Sequence, residues 1–244
     1  MIRVGVFGAA GKVGRTVCEA VESDAELHLV GRVDPFNSDC AASPDGIAAD
    51  VWVDFTVLEA ARKNVAWCAA SGVHAVVGTT GFTPVDLAQF GSVFTKSNCL
   101  IAPNFAIGAL LMMRFAEMAA PWFDTAEVIE LHHDTKADAP SGTAMKTVER
   151  MAAASPDWAP DPTRTESLPG ARGAVHDSGI HVHSIRMRGM VAHQEVILGS
   201  AGQTLTIRHD SYDRTSFLPG VLLGCKRIAE FPGLTVGLDP LLGL

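Results

Sequence analysis

The chain has 244 residues, 48% of them hydrophobic and 19% charged, which allows an ample buried core and excludes a disordered segment. A formal net charge of −8 argues against nucleic acid or an acidic membrane surface as partner. Five scattered cysteines without a CxxC pair, and a start with no secretory leader, point to a reducing cytoplasm.

The first hundred residues alternate strand and helix patterns. Ile2 to Phe7 is a short apolar run, followed at once by Gly8-Ala9-Ala10-Gly11-Lys12-Val13-Gly14. Val13, Val17, Cys18, Ala20 and Val21 then trace the apolar stripe of a helix. A second apolar run, Leu27 to Val33, ends at Asp34, twenty residues after Gly14. Strand, glycine turn, helix, strand and acid in this order is the pattern of a dinucleotide-binding βαβ unit. The glycines let backbone approach a pyrophosphate, and the helix N-terminus attracts its charge. Asp34 is placed to accept hydrogen bonds from the adenosine ribose. The spacing is GxxGxxG rather than the commoner GxGxxG, and a tight turn in a nucleotide-free domain would also use such glycines.

Further strands are expected at Val51–Phe55, His74–Val77 and Cys99–Ala102, with helices at Leu58–Ala70 and Pro84–Phe94. In a doubly wound sheet, ligands lie beyond the carboxyl ends of the strands. Gly78-Thr79-Thr80-Gly81 and Ala102-Pro103-Asn104-Phe105 fall there and are candidate contacts for the nicotinamide half. The apolar stretch Phe105–Phe123 carries Arg114, Glu117 and Pro121, so it reads as a buried helix and not as a membrane span.

The texture then changes. Ala126–Leu131 reads as a strand leading into Glu130-Leu-His132-His133-Asp-Thr-Lys136-Ala-Asp-Ala-Pro-Ser141-Gly142-Thr143-Ala144, and a helix is expected from Ser141 to about Ala154. Two imidazoles and an ammonium stand just before a helix N-terminus. Such a terminus captures carboxylate or phosphate, and His and Lys supply charge and protons. Each piece alone is common in ordinary loops and caps. Ser155–Gly173 reads as a long loop. Ile180–Met187, Val191–Leu198 and Thr204–His209 read as three strands joined by short turns in an antiparallel sheet, and Thr215–Glu230 as a helix that returns to the first domain. His181 and His183 share a strand face but have no acidic or cysteine partner at ligand spacing, so no metal is expected.

The fold class expected is α/β: a Rossmann-type doubly wound parallel sheet (residues 1–105 and 215–244), plus an α+β substrate and oligomerisation domain with a mostly antiparallel sheet (residues 106–214).

The H-H-x-x-K-x-D-A-P-S-G-T core resembles the 4-hydroxy-tetrahydrodipicolinate (dihydrodipicolinate) reductase family. The likeness extends to the glycine turn, Gly78–Gly81, Ala102–Gly108 and His209–Phe217, and Ser167–Gly173 and Val191–Val196 are similar to its actinobacterial branch. The resemblance implies hydride transfer from NADH or NADPH to C4 of an unsaturated cyclic imine bearing two carboxylates, in the diaminopimelate route to lysine. It implies His132 as proton donor and Lys136 as second acid or carboxylate clamp. It further implies that His133, Ser141, Gly142 and Thr143 contact this dicarboxylate substrate, and that the chain forms a homotetramer through the second sheet. Pro35 follows Asp34 where some relatives carry an arginine for the 2′-phosphate. Lys12 and Arg32 are the nearby cations, so NADPH is acceptable without strong preference. A different dehydrogenase of this fold, or a nucleotide sensor without turnover, would not need the His-His-x-x-Lys constellation.

Overall fold

The computed structural model describes residues 1–244 and divides into two compact units, Met1–Ile107 with Arg214–Leu244, and Gly108–Asp213. In the first unit β1 (Ile2–Phe7), β2 (Leu27–Val33), β3 (Val51–Asp54), β4 (His74–Val77) and β5 (Cys99–Ile101) alternate with helices α1 (Lys12–Ser23), α2 (Leu58–Ser71) and α3 (Pro84–Val93). The strands form one parallel sheet of Rossmann type, which the Leu234–Val236 strand completes at the edge beside β5. β1 pairs with β2 on one side and β3 on the other. The strand order therefore reverses there, and the crevice above β1 and β3 is the topological switch point.

β3 is buried along its whole length, and β4 at all but its first residue, as parallel strands covered by helices must be. Trp52 is 1% exposed and stacks on Phe7 at 4.5 Å between ring centroids. Around this pair the core gathers Val65, Cys68, Val77, Phe90 and Ile101.

The second unit takes up α4 (Ile107–Ala119), which ends where Pro121 enters a single 3-10 turn. It continues with β6 (Thr125–His132), α5 (Gly142–Ala154), β7 (Ala174–Val175), β8 (His181–Arg186), β9 (Ala192–Ser200) and β10 (Gln203–Ser211). Their sheet runs β10-β9-β6-β8-β7. Val128 of β6, Ile180 just before β8, and Val196 and Leu198 of β9 pack on Val148 and Met151 of α5.

Two expectations fail. β8 and β9 are not a hairpin, although Arg188-Gly189 looks like its turn: β6 lies between them, parallel to β8 and antiparallel to β9. The apolar residues of β6 fit the middle of the sheet, and the 187–191 connection crosses over its end, with Met187 N donating to His132 O at 3.0 Å. The expected Thr215–Glu230 helix is also three pieces. A 3-10 turn (Arg214–Phe217) precedes α6 (Leu218–Arg227), and a second (Ile228–Glu230) follows it. Pro219 lies in the first turn of α6 and sets its start. β11 (Leu234–Val236) and α7 (Asp239–Leu242) then end the chain. No helix is long and apolar enough to cross a membrane.

Candidate active site

In the first unit the glycine turn follows β1 directly. Gly8 adopts φ +69°, open to glycine at no steric cost, and its N–H donates to Val33 O at 2.8 Å. Gly14, inside α1, is needed for close packing, since a Cβ there would lie 2.1 Å from Gly8 O. Gly11 caps α1 without any side-chain hydrogen bond, and no acidic residue stands in the first turn. The N–H groups of that turn are thus left for an anion.

Asp34 follows β2, and its Oδ1 accepts from Phe36 N at 3.1 Å. Beside it lies a concavity lined by Ala9, Ala10, Arg15, Cys18, Arg32 and Asn37, among others. Arg32 is not a free cation, because it pairs with Glu22 at 2.7 Å. Arg15, overlooked in the sequence, lines the same concavity.

A second cleft is lined by Val13, Phe55, Thr56, Leu58, Gly78 and Thr80, among others. Buried Asp54 holds its walls together. Its carboxylate accepts from Thr56 N (2.9 Å), Thr56 Oγ1 (2.8 Å), Asn64 Nδ2 (2.7 Å) and Thr79 Oγ1 (2.9 Å). The Thr79 hydroxyl is therefore directed into the protein, and only its backbone is left for a ligand. Gly78 admits the Phe55 ring, which a Cβ would meet at 2.0 Å. Of the Ala102–Phe105 turn, Ala102 and Phe105 are buried, while Pro103 is exposed and Asn104 half-buried. Asn104 Oδ1 accepts from Ala106 N at 2.9 Å.

In the second unit the His-His segment grows out of the end of β6. The inward positions of this strand read Ala126, Val128 and Glu130, and Glu130 is 0% exposed. Its carboxylate accepts from Arg186 twice, at 2.7 and 2.8 Å, and from Ser141 N at 3.2 Å. It also contacts His132 Nδ1 closely. Burial pulls the Glu130 pKa up, but hydrogen bonds from Arg186, Ser184 and His132 outweigh it and hold the carboxyl below its ordinary value. Burial dominates at His132 and lowers its pKa, against the raising effect of Glu130.

His133 is exposed, with Nδ1 on Thr135 Oγ1 at 2.7 Å. Lys136 Nζ donates to both oxygens of Asp138, at 2.7 and 2.8 Å. Ser141 caps α5 by accepting from Ala144 N at 3.2 Å. Gly142 and Thr143 follow in the first turn, where backbone N–H groups have no helical partner. A Cβ on Gly142 would meet nothing within 4 Å, so this end of the helix is open. His132, Lys136 and the α5 N-terminus thus belong to one short segment anchored on Glu130.

The sequence pattern does not single out Glu130 and Arg186 as site residues. A signal for Glu130 was present, since a carboxylate in step with Ala126 and Val128 must be buried and paired. The histidines of β8 have no acidic partner at ligand spacing in the sequence. The fold supplies two: Glu127 on His183 at 2.6 Å, and Asp161 beside His181 at 3.3 Å. Arg172 bridges both acids, at 2.7 and 3.2 Å, and ties the long loop to the sheet.

Residues 2–105 match the family described as dihydrodipicolinate reductase, N-terminus, and residues 108–242 the corresponding C-terminus. The chain is 54% identical to the 4-hydroxy-tetrahydrodipicolinate reductase of Mycobacterium ulcerans, covering 100% of each. It is 49% identical to that of Cutibacterium acnes, again over 100% of each. The dipicolinate-bound dihydrodipicolinate reductase of Paenisporosarcina sp. TG-14 superposes with a TM-score of 0.90 at 38% identity, covering 98% of this chain and 99% of that one. With both family regions matched and full-length relatives at this identity, the chain belongs to the dihydrodipicolinate reductase family.

Proposed function

We propose that the chain performs the reduction for which its family is named. Its substrate is 4-hydroxy-tetrahydrodipicolinate, a cyclic imine with two carboxylates, its product is tetrahydrodipicolinate, and the step belongs to the diaminopimelate route to lysine. The observation that carries this reading is the grouping of His132, Lys136 and the open N-terminus of α5 in one segment, a proton source beside two anion receptors.

The first unit suits a dinucleotide. Gly8, Ala9, Ala10, Gly11, Lys12 and Val13 form the turn at the uncapped end of α1, packed so closely on the helix that a side chain at position 14 would displace it. Asp34 would accept from the ribose, and backbone at Gly78–Thr80 and Ala102–Phe105 would border the nicotinamide. NADH or NADPH, when bound, supplies the hydride. The residues of the second unit do the rest. Gly142 and Thr143 N–H groups and the Ser141 hydroxyl receive one carboxylate. Lys136 takes the other by exchanging Asp138, an exposed partner whose loss costs little. His133 borders the substrate. Loss of the 4-hydroxyl as water leaves a ring C=C conjugated with the imine; electron density moves toward the ring nitrogen as hydride arrives at C4, and His132 delivers the proton that the resulting anion requires. His132 has a lowered pKa in the free enzyme, and a bound dianion raises it toward the protonated form.

The same reading makes the enzyme cytoplasmic and homotetrameric. The outer face of the second sheet supports the assembly: it carries Ile129, Leu131, Ile185 and Ile197, each still partly exposed. Light scattering after size exclusion tests the oligomeric state. The activity is tested by following NADH oxidation with the condensation product of aspartate semialdehyde and pyruvate. Oxidation that depends on this product is expected. NADH binding without oxidation would instead make the chain a nucleotide sensor.

A further inference from the structure

We propose that Glu130 is a positioning residue for the proton donor, fixing the ring tautomer of His132 and tying that ring to the substrate-binding end of α5. The inference rests on His132 being the acid. An ionised carboxylate only accepts hydrogen bonds, with two sites on each oxygen. Both oxygens of Glu130 are fully engaged, with Ser184 adding to the contacts that follow. Oε1 accepts from Arg186 Nη2 at 2.7 Å and from Ser141 N at 3.2 Å. Oε2 accepts from Arg186 Nη1 at 2.8 Å and faces His132 Nδ1. The atom facing Oε2 must therefore carry hydrogen, so neutral His132 is the Nδ1–H tautomer. When the ring is protonated, the added and labile proton is therefore on Nε2, the one ring nitrogen left for substrate.

The placement is specific to this role. A fully buried carboxylate on a strand is costly to desolvate, and replacing a buried pair by apolar residues is often neutral or stabilising. Arg186 alone could satisfy the charge bidentately. Instead the same two oxygens also hold the imidazole and the backbone N–H of Ser141, the cap of α5. Arg186 Nη2 reaches further, to Asp138 O at 2.6 Å, in the residue whose side chain pairs with Lys136. One carboxylate thus sets the relation between proton donor, ammonium loop and anion-binding turn.

The test is Glu130→Gln, which keeps the shape and one acceptor oxygen but offers an amide N–H₂ to the ring. Losing the correct tautomer at a comparable carboxylate–histidine pair lowers kcat by roughly 10⁴-fold, so a fall of about 10²–10⁴-fold is expected, with the NADH Kd unchanged. Histidine-selective ¹⁵N NMR reads the tautomer directly, with the His132 signal identified by its loss in His132→Gln. The parent should show Nδ1–H and Glu130→Gln should not. Glu130→Asp, which keeps the charge, should recover part of kcat. Parental kcat in Glu130→Gln, or an Nε2–H tautomer in the parent, overturns the proposal. A collapse of kcat with the tautomer unchanged also overturns it, by making Glu130 merely structural. If Glu130→Gln fails to fold, the parent tautomer and the Glu130→Asp variant decide. His132→Gln separates the two readings. If it is inactive while Glu130→Gln is active, only the positioning role falls. If it turns over normally, the acid and its positioning residue fall together.

Discussion

Gly14→Ala distinguishes a glycine that the dinucleotide turn requires from one that merely happens to lie in a helix. At an ordinary helical position, Ala in place of Gly stabilises by about 1 kcal/mol. Here the added Cβ would lie 2.1 Å from Gly8 O, 2.8 Å from Gly8 C and 2.9 Å from Ala9 Cα. Every one of these is a backbone atom, so no side-chain rotation relieves the clash. The nearest approach is more than 1 Å short of an optimal separation of roughly 3.5 Å, and α1 must back away from the turn by about that much. Overpacking costs about 1–3 kcal/mol, and contact with rigid backbone belongs at the upper end. After subtracting the propensity gain, the net change is destabilisation by about 2 kcal/mol. The displaced turn no longer aims its N–H groups at a pyrophosphate, so the NADH Kd should rise about tenfold or more, as loss of 1.4 kcal/mol would produce. Urea unfolding and a fluorescence titration with NADH measure the two effects. A stabilised variant with parental NADH affinity would refute the reasoning about this turn.

Three further expectations concern charge and protonation. His132→Gln should lower kcat by about 10²–10⁴-fold and leave the NADH Kd unchanged, since a general acid contributes on that scale; steady-state kinetics beside a binding titration checks this. Asp34→Ala should weaken NADH about tenfold or more, from loss of a charge-assisted hydrogen bond worth roughly 1.5–3 kcal/mol, and relieve the repulsion of a 2′-phosphate near Arg15 and Arg32. An unmoved ratio of NADH to NADPH Kd would show that Asp34 does not meet the ribose. Burial lowers the pKa of His74, His132 and His209 below 6.5, so between that value and their folded pKa values the unfolded chain binds more protons. The stability they confer is complete above pH 6.5 and is lost as pH falls through the folded values. At His132 the Glu130 carboxylate opposes burial, while the positive charges of Lys136 and Arg186 act in the same direction as burial. Urea midpoints that rise from pH 7.5 to pH 5.5 would contradict the sign.

What the sequence reveals depends on how local the cause is. The glycine turn was legible because its glycines answer to backbone geometry within one βαβ unit, and the His-His segment because its parts adjoin. Arg186 was not legible, since it meets Glu130 across 56 residues and only the parallel pairing of β6 with β8 brings the two together. The false β8–β9 hairpin has the same origin: a turn signal says nothing of a third strand inserted between its arms. Asp54 was hidden because β3 is buried on both faces, leaving no alternation to mark an inward carboxylate. β11, with three residues between Gly233 and Gly237, carries too short a pattern to register. Thr79 was rightly placed beyond a strand end, yet only the fold shows its hydroxyl committed to Asp54.

The most direct test of the central claim follows the hydride itself. NADH carrying deuterium at C4 of the nicotinamide is supplied with freshly formed 4-hydroxy-tetrahydrodipicolinate, and the product is examined by mass spectrometry and NMR, with each face of the nicotinamide labelled in turn. The account predicts that one of the two labels appears at C4 of tetrahydrodipicolinate, in step with NADH oxidation. Oxidation with no deuterium in the product from either label, or tight NADH binding with no oxidation, would contradict it.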